Sequence, residues 1–581
     1  METSPIALWR SIPRRPWALT LFAVAAVVSV LALGLTISLL GHGDSSKVSD
    51  PRIARANLGY AVYRGTLVGG GGGGDVAQYL GIQYARAPVG DLRFRRPVKP
   101  EVRRSGGEVK ADAFGPVCLG ISQPYPDAQH DEDCLYANVW APADATVESR
   151  LPVWLFIQGG GYTLNSNGNW NGTEVVRRSG RGIVFVNFGY RVGLWGFLAG
   201  ERVRADGDLN AGLLDQRFMM RWVRRHIAQF GGDPGHVVIH GGSAGAGSVA
   251  LHLVADGGNA TDPVSGETLF AGAVGESVFF PAQPFVDELE WQFNLTLQRT
   301  GCGDGDAEAM ACLRSKSTEV LQAANIPAPF PRGPANPMPL FFWTPCVDGD
   351  LVRDLPYLLF EKGHFVDVPV IMGSTTDEGT VFAADASTRD DMTTFLQSNY
   401  PLLSQSKTSA ILDRYPQMGS LPNHNAWFPS TAMAYGETTF TCPGAHILNS
   451  YVRHLNSSRA WGYRYDVHDA EQLAAGIGVP HVFSSWAIFG PDSQPGPGGG
   501  PQSYYTYNAG VVPIMMDYWI SFVRTLDPSR MRYADAPRWQ SWGHVERRLL
   551  VQTGNVSTEM VSDGEEQRCA FWKTLAPVMR Q

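Results

Sequence analysis

Eighteen residues, His236 to Leu253 (HVVIHGGSAGAGSVALHL), join a β-branched run to a helix-like run through Gly241-Gly242-Ser243-Ala244-Gly245. This G-x-S-x-G pattern belongs to a strand that turns sharply into a helix, holding the serine in a strained conformation with its hydroxyl raised over the sheet edge. Glycine flanks suit such a turn because they remove the Cβ clashes. In a chain with 65 glycines the pentapeptide alone is weak evidence, and its surroundings must decide.

With 581 residues and 44% hydrophobic content, the chain is large enough for one big enzyme domain or several small ones. Its net charge of −8 argues against nucleic acid as a partner. Residues 17–40 (WALTLFAVAAVVSVLALGLTISLL) are uncharged and long enough to cross a bilayer. Arg10, Arg14 and Arg15 precede this segment and Asp44 follows it, which orients the N-terminus toward the cytosol. Lys47, Arg52 and Arg55 weaken the bias. The reading is a single-pass type II protein, with a cytosolic tail at 1–16, a transmembrane signal-anchor at 17–40 and a lumenal or extracellular remainder. Cleavage of the segment as a signal peptide, giving a secreted protein, is the alternative. Against it, such apolar regions normally span about 7 to 15 residues and no small-x-small site ends this one. Sequons at Asn171, Asn259, Asn294, Asn456 and Asn555 and the seven cysteines suit an exported domain.

A polar linker is expected over residues 41–56 and one large domain over 57–581. Glycine-rich loops are expected at Gly69 to Gly74 and within PDSQPGPGGGPQ (491–502). Strand-like runs at LPVWLFIQ (151–158), GIVFVNF (182–188), HVVIH (236–240) and VPVIMG (368–373) alternate with helical patterns such as LLDQRFMMRWVRRHIAQF (213–230). That alternation predicts an α/β fold with a large, mostly parallel twisted sheet flanked by helices.

A serine hydroxyl is a weak nucleophile until a general base, a group orienting that base and donors for an oxyanion surround it. Gln158-Gly159-Gly160-Gly161-Tyr162, directly after an apolar run, is a candidate donor loop, because consecutive glycines let backbone N–H groups approach a ligand. Together with YLGIQYARAPVGDLRFRRP (79–97), EDCLYANVWAP (132–142), PVWLFIQGGGY (152–162), VNFGYRVGLWGFL (186–198), LNAGLLDQR (209–217), FGGDPGHVVIHGGSAG (230–245), STTDEG (374–379) and RCAFW (568–572), the chain resembles the type-B carboxylesterase/lipase family, which includes the cholinesterases. The likeness runs over nearly all of residues 58 to 575.

The resemblance implies an α/β-hydrolase fold and a serine hydrolase that cleaves carboxylic esters through an acyl-enzyme, without metal or organic cofactor. It places the nucleophile at Ser243, the acid at Glu378 beside the rival Asp377, and the base at His481, with His468 the nearest competing histidine. The oxyanion donors fall on Gly160, Gly161 and Ala244. It pairs Cys118 with Cys134, Cys302 with Cys312 and Cys442 with Cys569, leaving Cys346 free, and it places ion pairs at Arg93 with Glu132 and Arg191 with Asp215. Ser277 takes the place of a family serine near the acid.

Gly242 replaces the usual glutamate before the nucleophile, Gln158 replaces a common His or Tyr, and Ser484 stands where an acidic residue often follows the histidine by three. These departures imply a pocket that has lost charge near the nucleophile. Only 15 residues separate Cys118 from Cys134, which disfavours a lipase-type lid, and none is the Trp that would cradle choline. Phe341 falls at an acyl-pocket position, and Phe279, Phe280 and Trp486 are candidates to line the gorge. The expected substrates are small to medium esters. A catalytically weak or idle cell-surface binding protein, a lipase and an acyltransferase are the alternatives.

Overall fold

The computed structural model describes residues 54–581 apart from 70–73, 104–106, 165–169, 263–264, 304–307, 457 and 495–498. The expected tail and membrane segment, the linker up to residue 53 and parts of both glycine-rich loops lie outside the described residues. Among the described residues no helix is long and apolar enough to cross a membrane. Arg55 and Ala56, at the end of the expected linker, belong to a short strand, Arg55–Asn57, paired with Val62–Arg64.

Eleven strands make the main sheet: β1 (Thr66–Val68), β2 (Val76–Gln83), β3 (Tyr136–Pro142), β4 (Leu151–Ile157), β5 (Val184–Phe188), β6 (Gly232–Gly242), β7 (Gly272–Glu276), β8 (Val370–Thr375), β9 (Ala460–Asp466), β10 (Arg547–Gln552) and β11 (Asn555–Met560). Their order is β11-β10-β9-β8-β7-β6-β4-β5-β3-β2-β1. Pairing is parallel from β5 through β4, β6, β7, β8 and β9 to β10. It is antiparallel at both margins, where β3, β2 and β1 continue one side and β11 closes the other.

The central runs are mostly apolar because both faces of the sheet are covered. In β4, Val153, Leu155 and Ile157 enter one hydrophobic cluster and Trp154 and Phe156 the other. The first cluster receives helices α1 (Ala211–His226), α2 (Ala244–Gly258) and α3 (Cys442–Leu455), with α2 leaving helical geometry at Ala255, Asp256 and Gly257. The second receives the short helix α4 (Ser485–Phe489) and α5 (Val511–Thr525).

Covalent and ionic ties match the pairs implied by the resemblance. Disulfides join Cys118–Cys134, Cys302–Cys312 and Cys442–Cys569, and Cys346 is free and buried. Arg191 reaches Asp215 through two bonds of 2.8 and 2.7 Å, and Arg93 meets Glu132 as closely, both pairs buried. Asn259, Asn294, Asn456 and Asn555 are exposed, whereas Asn171 is half-buried and accepts a bond from the Thr173 N–H.

Candidate active site

Strand β6 ends at Gly242 and helix α2 begins at Ala244, leaving Ser243 between them at φ 58°, ψ −126°. A left-handed φ on a residue with a side chain costs energy that the surroundings must hold in place. Two glycines make the turn possible: a Cβ on Gly241 would stand 2.2 Å from the Gly245 carbonyl carbon, and one on Gly245 would stand 2.0 Å from the Ile157 carbonyl oxygen. The Ser243 N–H donates to the carbonyl of Glu276 at the end of β7, which ties the turn to the neighbouring strand.

The loop after β4 packs onto this turn. A Cβ on Gly159 would lie 2.6 Å from the Gly242 carbonyl oxygen and 2.9 Å from the Ser243 Cβ. Gly160 and Gly161 take φ values of +105° and +65°. There, added Cβ atoms would strike the Leu164 carbonyl oxygen at 2.3 Å and the Phe341 ring at 2.2 Å. The predicted donors Gly160 and Gly161 are thus carried by a loop in contact with the turn that bears Ser243 and Ala244.

Glu378 lies three residues beyond the end of β8 and is only 2% exposed. Its Oε1 accepts from the Thr375 N–H at 2.7 Å and its Oε2 stands 2.5 Å from His481 Nδ1. The other ring nitrogen, His481 Nε2, is buried without a hydrogen-bond partner among the described residues. Asp377 does a different job. Its Oδ2 accepts from the Val479 N–H at 2.8 Å and its own N–H donates to the Val479 carbonyl, so it anchors the segment that carries His481. Burial raises the Asp377 pKa above the usual carboxylate range. His468, by contrast, is 55% exposed beside Asp466.

Phenylalanines crowd this arrangement. Phe382 and Phe440 lie 4.9 and 4.3 Å from the His481 ring, Phe279 lies 4.6 Å from Phe341, and Phe341 lies 5.9 Å from Phe382. Phe341 and Phe279 therefore belong to the aromatic group that reaches the His481 ring through Phe382. Phe382 and Phe440 escaped the sequence reading, since nothing in their local pattern distinguishes them from core aromatics. Two expected gorge residues stand elsewhere: Phe280 is fully buried against Tyr357, and Trp486, on α4, packs edge-on against Trp170 in the cluster across the sheet.

The expected loss of charge beside the nucleophile is corrected by β7. Its last residue, Glu276, is fully buried, and its Oε1 accepts from the hydroxyls of Ser484 and Ser485, both at 2.6 Å. Burial pushes its pKa up to about 7. A Cβ on Gly242 would come within 3.5 Å of Glu276 Oε2, so a carboxylate lies beside the position whose own acid is missing. The available signal was a lone glutamate inside an otherwise small and apolar run, AGAVGES (271–277). Ser277 follows it, fully buried at φ 56°.

The sequence model described as the Carboxylesterase family matches residues 54–572. Lipase 1 of Geotrichum candidum is 34% identical over 427 residues, 65% of this chain and 75% of that protein. Secreted lipase 1 of Botryotinia fuckeliana is 31% identical over 539 residues, 85% of this chain and 89% of that protein. Among solved structures, Aspergillus niger EstA superposes with a TM-score of 0.86 at 46% identity, covering 92% of this chain and all of that one. The chain belongs to the carboxylesterase family and is a carboxylic ester hydrolase.

Proposed function

We propose that Ser243, His481 and Glu378 act as a catalytic triad on small to medium carboxylic esters. The contact between His481 Nδ1 and Glu378 Oε2, with Nε2 left unpartnered among the described residues, is the observation that carries this reading. A carboxylate on Nδ1 holds the proton there and leaves Nε2 as the basic nitrogen. His481 takes the Ser243 proton as the hydroxyl attacks the ester carbonyl, and the tetrahedral oxyanion rests on the N–H groups of Gly160, Gly161 and Ala244. His481 then protonates the departing alcohol, and water repeats the cycle on the acyl-enzyme. Each oxyanion donor lowers the barrier by roughly 2.7–4 kcal/mol.

The acyl side faces Phe341 and Phe279, which supports a preference for short chains. The loop between Cys118 and Cys134 supports water-soluble esters over emulsions. Its Gly120 carbonyl accepts from Gln322 and Asn325 side chains, and the N–H groups of Ile121 and Ser122 donate to the carbonyls of Thr163 and Asn325. A loop held at so many points is poorly suited to swing as a lid. The named relatives are lipases, so a rate that jumps as a long-chain triglyceride passes its solubility limit would favour their activity instead.

Three disulfides and the exposed sequons support export. We place the catalytic domain, residues 57–581, outside the cytosol behind a signal-anchor at 17–40, and the name of the Botryotinia relative keeps secretion as the second reading. Membrane fractionation of the full chain separates the two. The activity test is hydrolysis of p-nitrophenyl acetate and butyrate with fluorophosphonate labelling. Wild type turns over and labels once per chain, and Ser243→Ala does neither. Labelling that persists in Ser243→Ala would remove Ser243 from the mechanism.

A further inference from the structure

Under the nucleophile turn lies a buried acid that the catalytic cycle above leaves unused. Glu276 Oε1 takes both serine hydroxyls, from Ser484 and from Ser485, which follow His481 by three and four residues. Its Oε2 has no hydrogen-bond partner among the described residues, and neither does His240 Nε2, 3.7 Å away. The Trp154 indole N–H donates to His240 Nδ1, so the neutral ring carries its proton on Nε2 and turns it toward the carboxylate. The Cβ position of Gly242 is 3.5 Å from Oε2 and 3.7 Å from Val482. Glu276 therefore borders the residue before Ser243, and that residue in turn borders Val482, which follows His481.

A glutamine would accept from the same two serines without the cost of burying an ionisable group. We propose, on the reading of Ser243, His481 and Glu378 given above, that Glu276 is a positioning residue for ester hydrolysis. It clamps the segment after His481 through Ser484 and Ser485, and its charge offsets the imidazolium formed when His481 takes the serine proton. The titratable groups facing it are His240 on β6, Glu378 beyond β8, Tyr463 and Tyr465 on β9, and Tyr504. Burial holds the tyrosines neutral and pushes His240 down to about 3. Glu276 and Glu378 are the two carboxyl groups of this cluster.

The test is kcat and kcat/KM for p-nitrophenyl acetate from pH 5 to 10, on the full chain and on Glu276→Gln, with thermal melts to establish folding. The variant is expected to melt cooperatively and label fully with fluorophosphonate, while kcat falls about tenfold, the equivalent of one pKa unit of lost charge stabilisation. The deficit is small on the acid side and opens as pH rises through about 7, where Glu276 gives up its proton and gains the charge that the variant lacks. A folded variant whose kcat matches wild type from pH 7 to 10 overturns the proposal. If Glu276→Gln does not fold, Ser484→Ala with Ser485→Ala takes its place. Stripped of its donors the carboxylate stays protonated to higher pH, so a deficit at pH 7 that closes toward pH 9 supports the role. A pH-independent loss, or no loss, overturns it. Wild-type chain that neither turns over nor labels would instead sink the underlying reading of the triad.

Discussion

His481 and Glu378 meet at a single contact of 2.5 Å, Nδ1 to Oε2, although 103 residues separate them in the chain. The carboxylate's second oxygen is taken by the Thr375 N–H, so the acid is held at both ends and has one orientation to offer the ring. Asp377, one residue earlier, spends its oxygen on the Val479 N–H. Adjacent carboxylates thus have separate duties, one toward the imidazole and one toward the backbone that carries it.

This division predicts unequal effects of two conservative substitutions. Glu378→Gln keeps the shape but removes the charge and permits the wrong imidazole tautomer, so kcat on p-nitrophenyl acetate should fall by about 10⁴. Asp377→Asn keeps an acceptor for Val479, so kcat should change by less than about tenfold, a loss on the scale of one hydrogen bond. Equal losses in the two variants would contradict the assignment.

The nucleophile turn was legible in the sequence because its steric demands fall on adjacent residues: Gly241 and Gly245 leave no room for a Cβ. The parallel sheet was legible for a related reason, since strands buried on both faces must be apolar along their length. Glu378 against Asp377 could be resolved only through the family pattern, because one position of register separates them and only packing decides which reaches the ring. Glu276 showed in the sequence only as a lone acid in a small, apolar run, and its role was out of reach. Its meaning depends on Ser484 and Ser485, 208 and 209 residues away, and on the space that Gly242 leaves open. The phenylalanine cluster likewise assembles from four separate segments, at Phe279, Phe341, Phe382 and Phe440.

Two glycines of the turn should respond in opposite ways to alanine. On Gly245 the new Cβ meets the Ile157 carbonyl oxygen at 2.0 Å, a backbone atom that cannot step aside. Gly245→Ala should cost roughly 3 kcal/mol or more and remove activity. On Gly242 the nearest atom is 3.5 Å away, an ordinary contact, and Gly242→Ala should change stability by no more than about 1 kcal/mol. Urea unfolding of the two variants measures both.

Phe341 touches Gly161, in the loop proposed to carry the oxyanion donors, and Phe279 behind it, which makes it the simplest candidate to limit acyl length. Truncation to Ala opens space beside the ester carbonyl. The kcat/KM ratio of p-nitrophenyl octanoate to acetate should rise by about tenfold or more, on the scale of a few methylenes gaining or losing a pocket. An unchanged ratio in a variant that still melts like wild type would move the acyl chain away from this ring.

The buried acid should also be visible in stability. Glu276 titrates from 4.5 as a free group to about 7 in the fold, because burial penalises its charged form. A folded pKa above the unfolded one means that the unfolded chain releases the proton first. The stability tied to the protonated acid is therefore complete below pH 4.5 and is lost as pH rises through about 7. The loss integrates to on the order of 3 kcal/mol. Glu276→Gln stays neutral throughout and lacks this slope. The difference in melting temperature, wild type minus variant, should therefore decline between pH 4.5 and 7.5 and level off above it. A difference that stays flat across that window would mean that the carboxylate is already ionised in the fold at pH 5.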